Sequence, residues 1–207
     1  MSVRESYDSV AEAYAEHLFS ELDRKPLDRN LLDRFAQEMR GRGRVADVGC
    51  GPGHVARYLA ERGVDILGID LSPAMVACAR RLSPGLQFRV GDLRALDLPD
   101  GSLAGILAFY AIVHFEPPQL GPIFAELRRV LCHGGALLLA FHAGDETVHV
   151  EDLFGCPVSL DFRFHRPVAV AEALRAASFE ITESLEREPY EGAEYPSRRC
   201  YLLGKAG

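Results

Sequence analysis

Two carboxylates and three glycines mark where this chain could do chemistry. In RVADVGCGPG, residues 44–53, an apolar run leads without pause into Asp47, Gly49, Gly51 and Gly53. Seventeen residues beyond the last glycine, a second apolar run, VDILGID, ends in Asp70. Glycines at this spacing let the chain take positive φ and bring backbone N–H groups close to a ligand with no Cβ in the way. The loop becomes a cradle. A carboxylate ending the next strand can accept hydrogen bonds from both vicinal hydroxyls of a ribose. Together these are the sequence form of an adenosine-containing cofactor site at the first strand-to-helix turn of a doubly wound α/β sheet, which points to an enzyme. Read from Gly51, GPGHVA also fits the G-x-G-x-x-A form of dinucleotide sites, with Asp70 nineteen residues on, so NAD is a live alternative.

Such a turn needs strands and helices to hold it. Val3, Tyr7, Val10, Ala11, Tyr14 and Leu18 recur at helical spacing, and a second helix begins near Pro26 with Leu27, Leu31, Leu32, Phe35 and Met39 inward and Gly41 and Gly43 as its stop. After the strand at Val45–Val48, a helix carrying Val55, Tyr58 and Leu59 ends at Gly63, and Ser72-Pro73 starts another with Met75, Val76, Ala79 and Leu82 on its apolar face. Strand signals at about 86–90, 104–109 and 136–142 continue the alternation, which requires a parallel sheet with helices on both faces. From 158 the pattern changes. Val158, Leu160, Phe162 and Phe164 alternate with Ser159, Asp161, Arg163 and His165, as in a half-buried strand or lid segment, and a helix follows over Val168–Ala177. FEITESLERE and RRCYLLGK, joined by a loop rather than a helix, are expected to pair antiparallel.

Asp47 before Gly49, a third strand LQFRV running to Gly91-Asp92, and a fourth in AGILAFYAIVHF give the chain a fuller pattern. In these residues it resembles the class I S-adenosylmethionine-dependent methyltransferases, in particular the compact small-molecule group known as types 11 and 12. The resemblance is firm over residues 44–142 and looser outside them. It implies a Rossmann-like, doubly wound, seven-stranded, mostly parallel sheet under an N-terminal helical cap, with the last strand inserted between the fifth and sixth. It implies that Asp47, Gly49, Gly51 and Gly53 hold the methionine part of the cofactor, that Asp70 with Leu71 holds the ribose, and that Asp92 with Leu93 meets the adenine. LRRVLCHGGALLLAF, Leu127–Phe141, is similar to the family's helix, turn and fifth strand, broken at Gly134-Gly135.

Ligands of an open α/β sheet bind beyond the carboxyl ends of the strands, which makes Phe109, Tyr110, His114, His142 and Asp145 the first candidates. The cap adds Tyr7 and Tyr14. Phe109 is expected at the cofactor, His114, Tyr14 and His142 at the chemistry, and Tyr7, Tyr14, Tyr110, His142 and Arg163 around the acceptor. Methyl transfer from a sulfonium is an in-line displacement that chiefly needs alignment and exclusion of water. A base is required only where the acceptor must lose a proton, a role for which histidine is suited near neutral pH. Each candidate has a plainer reading: the two tyrosines as core, His142 as a strand end, Asp92 as a helix cap, Arg163 and His165 as a solvated face. The expected reaction is methylation of an O or N atom of a small molecule, with a non-catalytic S-adenosylmethionine-binding module as another alternative. Tyr14, Tyr58 and Tyr110 have Leu18, Arg62 and His114 four residues on instead of lysine, which disfavours a short-chain NAD enzyme, and FYAIVH stands where an N-P-P-Y motif for adenine or glutamine would fall.

With 207 residues, 48% of them hydrophobic, the chain has the length for one core, and one domain is expected: a cap over 1–40, a cofactor-binding core over 44–142 and a substrate-side segment with C-terminal strands over 143–207. Thirty acidic against 23 basic residues give a net charge of −7 with no long basic run, which argues against nucleic acid and anionic membranes as partners. The N-terminal stretch is amphipathic rather than continuously apolar, so a cytoplasmic protein is expected. Five scattered cysteines without a C-x-x-C argue against a disulfide framework and against a metal site.

Overall fold

The computed structural model describes residues 1–207. Four parallel strands, β1 (Val45–Val48), β2 (Ile66–Asp70), β3 (Gln87–Val90) and β4 (Leu103–Phe109), are joined by β5 (Leu131–Ala143), β8 (Phe179–Arg187) and β9 (Arg198–Ala206) in a seven-stranded sheet. Its order is β3-β2-β1-β4-β5-β9-β8. Only β9 runs against its neighbours, pairing antiparallel with both β5 and β8. The helices are α1 (Val3–Leu18), α2 (Pro26–Met39), α3 (His54–Ala60), α4 (Pro73–Leu82), α5 (Pro117–Val130) and α6 (Pro167–Ala176). The remaining strands, β6 (Thr147–Leu153) and β7 (Cys156–Arg163), form a separate hairpin. No helix is long and apolar enough to cross a membrane.

Both faces of the central strands are buried, as a parallel sheet requires. Ala46, Val48, Leu137, Leu139 and Phe141 face α5 and α6 through Phe124, Leu127, Val170 and Leu174. Val45, Leu107, Ala136, Leu138 and Ala140 face α2, α3 and α4 through Leu31, Phe35, Met39, Leu59 and Val76. Period-two alternation along each strand therefore feeds two cores at once.

Three elements depart from expectation. Pairing of β5 begins at Leu131 against Leu103 and resumes at Ala136 against Gly105, with residues 132–135 of β5 opposite Ala104 alone, so Gly134-Gly135 is an irregularity within a strand rather than the turn before one. Thr147–Leu153, unassigned from sequence, becomes the partner strand of the 158–164 segment. Finally, α2 packs on a sheet face, whereas α1 and the hairpin cover the strand ends. Val10, Ala11, Met75, Cys78, Val158 and Leu160 form their shared core.

The cap is stitched down at both sides. Ser2 starts α1 with a reciprocal capping box to Glu5. The Ser6 hydroxyl bridges the main chain of Ser159 on β7, accepting from its N–H at 3.1 Å and donating to its carbonyl at 3.3 Å. Toward the sheet, Asp8 accepts from the Ser72 hydroxyl at 2.6 Å and the Ala74 N–H at 3.1 Å, adding a carboxylate to the positive end of α4.

Candidate functional site

A cavity of about 280 Å³ lies beyond the carboxyl ends of β1 to β4, under α1. The glycine turn forms its floor. Gly49 has φ +72° and a Cβ there would sit 2.7 Å from that of Ala111; Gly53 has φ +81° and would press within 2.7 Å of the Phe88 ring. Both positions are closed to side chains on two counts, handedness and space. Gly53 shapes the turn and starts α3 without lining the cavity, whereas Gly49 and Gly51 line it.

The N–H groups of this turn are already used. Gly49 and Cys50 both donate to the Ile69 carbonyl, at 2.8 and 3.1 Å, and Gly53 donates to Cys50 at 3.0 Å. Gly51 donates to the Asp70 carboxylate at 2.8 Å, and Ser72 N–H donates to the other oxygen at 2.9 Å. Burial raises the Asp70 carboxyl, against the pull of those two bonds. Asp47 is 2% exposed, and its Oδ2 has no hydrogen-bond partner. Burial pushes its carboxyl up to about 7, with His54 and a backbone bond from Ala56 opposing and Asp70 reinforcing the rise. The floor thus presents acids, not free donors.

This decides between the cofactors. A dinucleotide places its pyrophosphate against free N–H groups at the turn and the following helix start. Here the donors of the turn itself are occupied, and a pyrophosphate would meet Asp47 and Asp70. A cationic ligand fits: an ammonium supplies the charge and donors that Asp47 lacks. The fold and this site are those of the class I S-adenosylmethionine-dependent methyltransferase family.

Comparison with known proteins agrees. Residues 45–135 match the family described as a methyltransferase domain. The chain is 36% identical over 152 residues to a malonyl-[acyl-carrier protein] O-methyltransferase of Halorhodospira halophila, covering 71% of this chain and 50% of the relative. It is 30% identical over 145 residues to a demethylmenaquinone methyltransferase of Beutenbergia cavernae, covering 70% and 58% respectively. The chain thus spans only about half the length of these curated relatives. A methyltransferase structure from Methanosarcina mazei superposes with a TM-score of 0.70 at 19% identity, covering 78% of this chain and 91% of the other, which shows the shared fold.

The structure gathers most of the sequence candidates around one space. Asp47, Gly49, Gly51, Asp70, Leu71, Asp92, Leu93, Phe109, Tyr110, His114, Tyr7 and Tyr14 all line the cavity. Asp92 caps no helix, since its segment forms a turn that bridges back at Ala95. Its carboxylate is gripped by Arg94, Nε lying 3.0 and 2.9 Å from the two oxygens, and this bond holds its pKa down. Tyr7 reaches from α1 to place its hydroxyl 2.8 Å from His114 Nε2, and His114 Nδ1 lies 2.8 Å from the Asp161 carbonyl on β7.

Four candidates sit elsewhere, Asp145 among them, exposed on the bend after β5. His142 is not in the lining: it stands behind Tyr110, ring centroids 5.1 Å apart, with Nδ1 2.7 Å from the Ser197 hydroxyl. Burial first, then Arg199 and Lys25, push it down to about 3, so it stays neutral. Arg163 also lies outside the lining; its guanidinium pairs with Glu116 at 3.0 Å while its N–H ties β7 to the Val113 carbonyl. His165 is buried, with Nε2 3.1 Å from the Ile112 carbonyl, and so is not part of a solvated face.

Sequence reasoning overlooked Glu21 and His54. They line the cavity and meet at 2.9 Å. Burial raises Glu21, yet His54 and Lys25 outweigh it and bring the carboxyl to about 2. Lys25 continues from Glu21 to Glu194, and Arg187 joins Glu194 to Asp28, so the cavity wall is the edge of a buried ionic network closing the 188–197 loop onto α2. Glu21 falls in a short 3-10 turn with no periodicity to flag it, whereas His54, directly after the glycine turn, was findable. The sequence also holds one Tyr-x-x-x-Lys spacing, Tyr201 to Lys205. It falls on β9, where four residues span about 13 Å, and the pair serves other ends: Tyr201 donates to Asp28 and Lys205 pairs with Glu38. No group of His, Cys, Asp and Glu is placed to hold a metal ion.

Proposed function

We propose that this protein transfers the methyl group of S-adenosylmethionine to an oxygen or nitrogen atom of a small molecule. The observation that carries the reading is one cavity holding both an unpaired buried carboxylate, Asp47, and a tyrosine–histidine hydrogen bond, Tyr7 to His114. Asp47 would hold the cofactor's ammonium, Asp70 beside Leu71 its ribose hydroxyls, and Asp92 with Leu93 its adenine, with Phe109 packing nearby. When bound, the cofactor supplies a methyl group activated on a sulfonium. The protein's own part is to align the acceptor and keep water away, tasks suited to Tyr7, Tyr14, Tyr110 and His114 beneath the α1 cap. His142, bonded to Ser197 and packed against Tyr110, would set the position of that ring, and Arg163 would hold the hairpin to the loop after β4.

The relatives are named for demethylmenaquinone and for a malonyl group on an acyl-carrier protein, which supports a small organic group as acceptor. All five cysteines are free thiols, which supports a reducing, cytoplasmic setting. A net charge of −7 leaves nucleic acid and anionic membranes outside the proposal.

Calorimetric titration with S-adenosylmethionine, S-adenosylhomocysteine and NAD tests the reading. The first two are expected to bind and NAD is not. Asp70→Ala is expected to weaken both by about 1–3 kcal/mol through its lost hydrogen bonds. Binding of NAD alone would overturn the proposal.

A further inference from the structure

The Tyr7–His114 contact is built from three separate elements, and its chemistry is directional. A backbone carbonyl only accepts, so the 2.8 Å contact from Asp161 fixes the proton of neutral His114 on Nδ1. Nε2 is then a bare lone pair, and the Tyr7 hydroxyl 2.8 Å away donates to it. Both side chains line the cavity. The charged groups facing His114 are Asp161 and Arg163 from β7; burial lowers its pKa and the Arg163 charge lowers it further, outweighing the Asp161 carbonyl bond and carboxylate. Asp70 is the charged group felt by Tyr7, whose hydroxyl burial raises.

The charges around the pair narrow the acceptor further. Four carboxylates line the cavity, Glu21, Asp47, Asp70 and Asp92, against one guanidinium, Arg94, which is clamped onto Asp92. An acceptor carboxylate would be desolvated here with no protein cation to pair it, the cofactor's sulfonium being its one counter-charge. An ammonium would find acids, but it has no lone pair until it loses a proton, and a histidine held neutral by burial is poorly placed to take that proton beforehand. A hydroxyl differs: it attacks with a lone pair it already has and sheds its proton as the bond forms.

Resting on the methyltransferase reading above, we infer that the acceptor is a neutral hydroxyl, and that Tyr7 and His114 together take its proton. The acceptor oxygen's electron pair forms the new C–O bond while the C–S pair stays on sulfur. The acceptor proton passes to the Tyr7 oxygen as the Tyr7 proton moves to His114 Nε2, leaving an imidazolium and S-adenosylhomocysteine.

The test uses the full chain loaded with S-adenosylhomocysteine, with phenol, benzoate and benzylamine as matched single-ring probes. Imidazole nitrogen NMR is expected to show His114 neutral with its proton on Nδ1 at pH 7. Phenol should shift the Nε2 signal and bind at least about tenfold more tightly than the other two, the margin set by burying an unpaired charge. Tyr7→Phe should remove the phenol-induced shift while keeping the ring in place. Equal or tighter binding of benzoate or benzylamine overturns the acceptor class, as does the failure of all three to bind up to about 10 mM, the range of weak single-ring fragments. A proton on Nε2 overturns the role of His114. Failure to bind S-adenosylhomocysteine would instead strike the reading beneath the inference.

Discussion

Asp47→Asn should make the free protein more stable and the cofactor bind less well. The Asp47 carboxyl is pushed up to about 7 by burial, and Oδ2 has no partner. In the unfolded chain the same group titrates near 3.9, so the difference is about 3 pH units and about 4 kcal/mol at most. Relaxation of an open cavity and water entry reduce this to about 2 kcal/mol. The sign follows from a folded pKa raised above the unfolded one. The contribution is fully present below about pH 4, declines as pH rises, and is gone above about pH 7. Asparagine lacks this loss, so the Tm of Asp47→Asn should exceed that of the unsubstituted protein by about 5 °C at pH 8, with the gap closing toward pH 4. S-adenosylhomocysteine, which keeps the ammonium, should bind the variant about 30-fold more weakly, as expected for a lost charge-assisted hydrogen bond. It should also release a proton on binding the unsubstituted protein near pH 7, seen as buffer-dependent enthalpy in calorimetry. Parallel Tm profiles for the two proteins between pH 5 and 8, or unchanged affinity, would refute the assignment of Asp47 as an unpaired buried acid awaiting a cation.

Glu194 is 1% exposed and lowered to about 2: burial raises it, and the Arg187 bond, the Tyr190 N–H and the charges of Lys25 and Arg199 together more than reverse that. Glu194→Gln strands Arg187 and Lys25 and should cost about 3–5 kcal/mol, measured by chemical denaturation at pH 7. Because the folded pKa is depressed, the stabilisation from Glu194 is present above about pH 4 and fades as pH falls toward 2; a variant whose deficit stays constant over that range would contradict the ion-pair account. Gly53→Ala puts a Cβ within 2.7 Å of Phe88 at φ +81°, so a loss of at least about 2 kcal/mol is expected in the same assay. Gly121→Ala is its control, with nothing within 4 Å of the added carbon beyond its chain neighbours, and should change stability by less than about 1 kcal/mol, alanine's helix preference being offset by crowding from Pro122.

Local signals were legible because each acts within a few residues. Ser72 and Pro73 start α4 where their chemistry says they should, the Ser72 hydroxyl accepting from Met75 N–H at 3.1 Å. The alternation of Val158, Leu160 and Phe162 placed an extended segment, but not the partner it takes. Thr147–Leu153 has no fully buried residue, only half-buried Val148, Val150 and Leu153 among exposed polar ones, so its strand signal is weak; it is held by pairing with β7 and by Val150 and Leu153 against the cap core.

The sequence by itself determined the glycine turn, the acids at the strand ends and the alternation that builds the sheet, since backbone conformation and the strand–helix period are set by near neighbours. Only the tertiary structure decided what those groups do. It spent the N–H groups of the turn on Ile69, Cys50 and Asp70 and left Asp47 Oδ2 buried without a hydrogen-bond partner. It brought Tyr7, His114 and Asp161 together from three distant elements, and it drew His142 toward Ser197 instead of into the cavity. Hydrogen-bond satisfaction and burial are properties of the packed chain. No spacing along the sequence records which donor a given acceptor will meet.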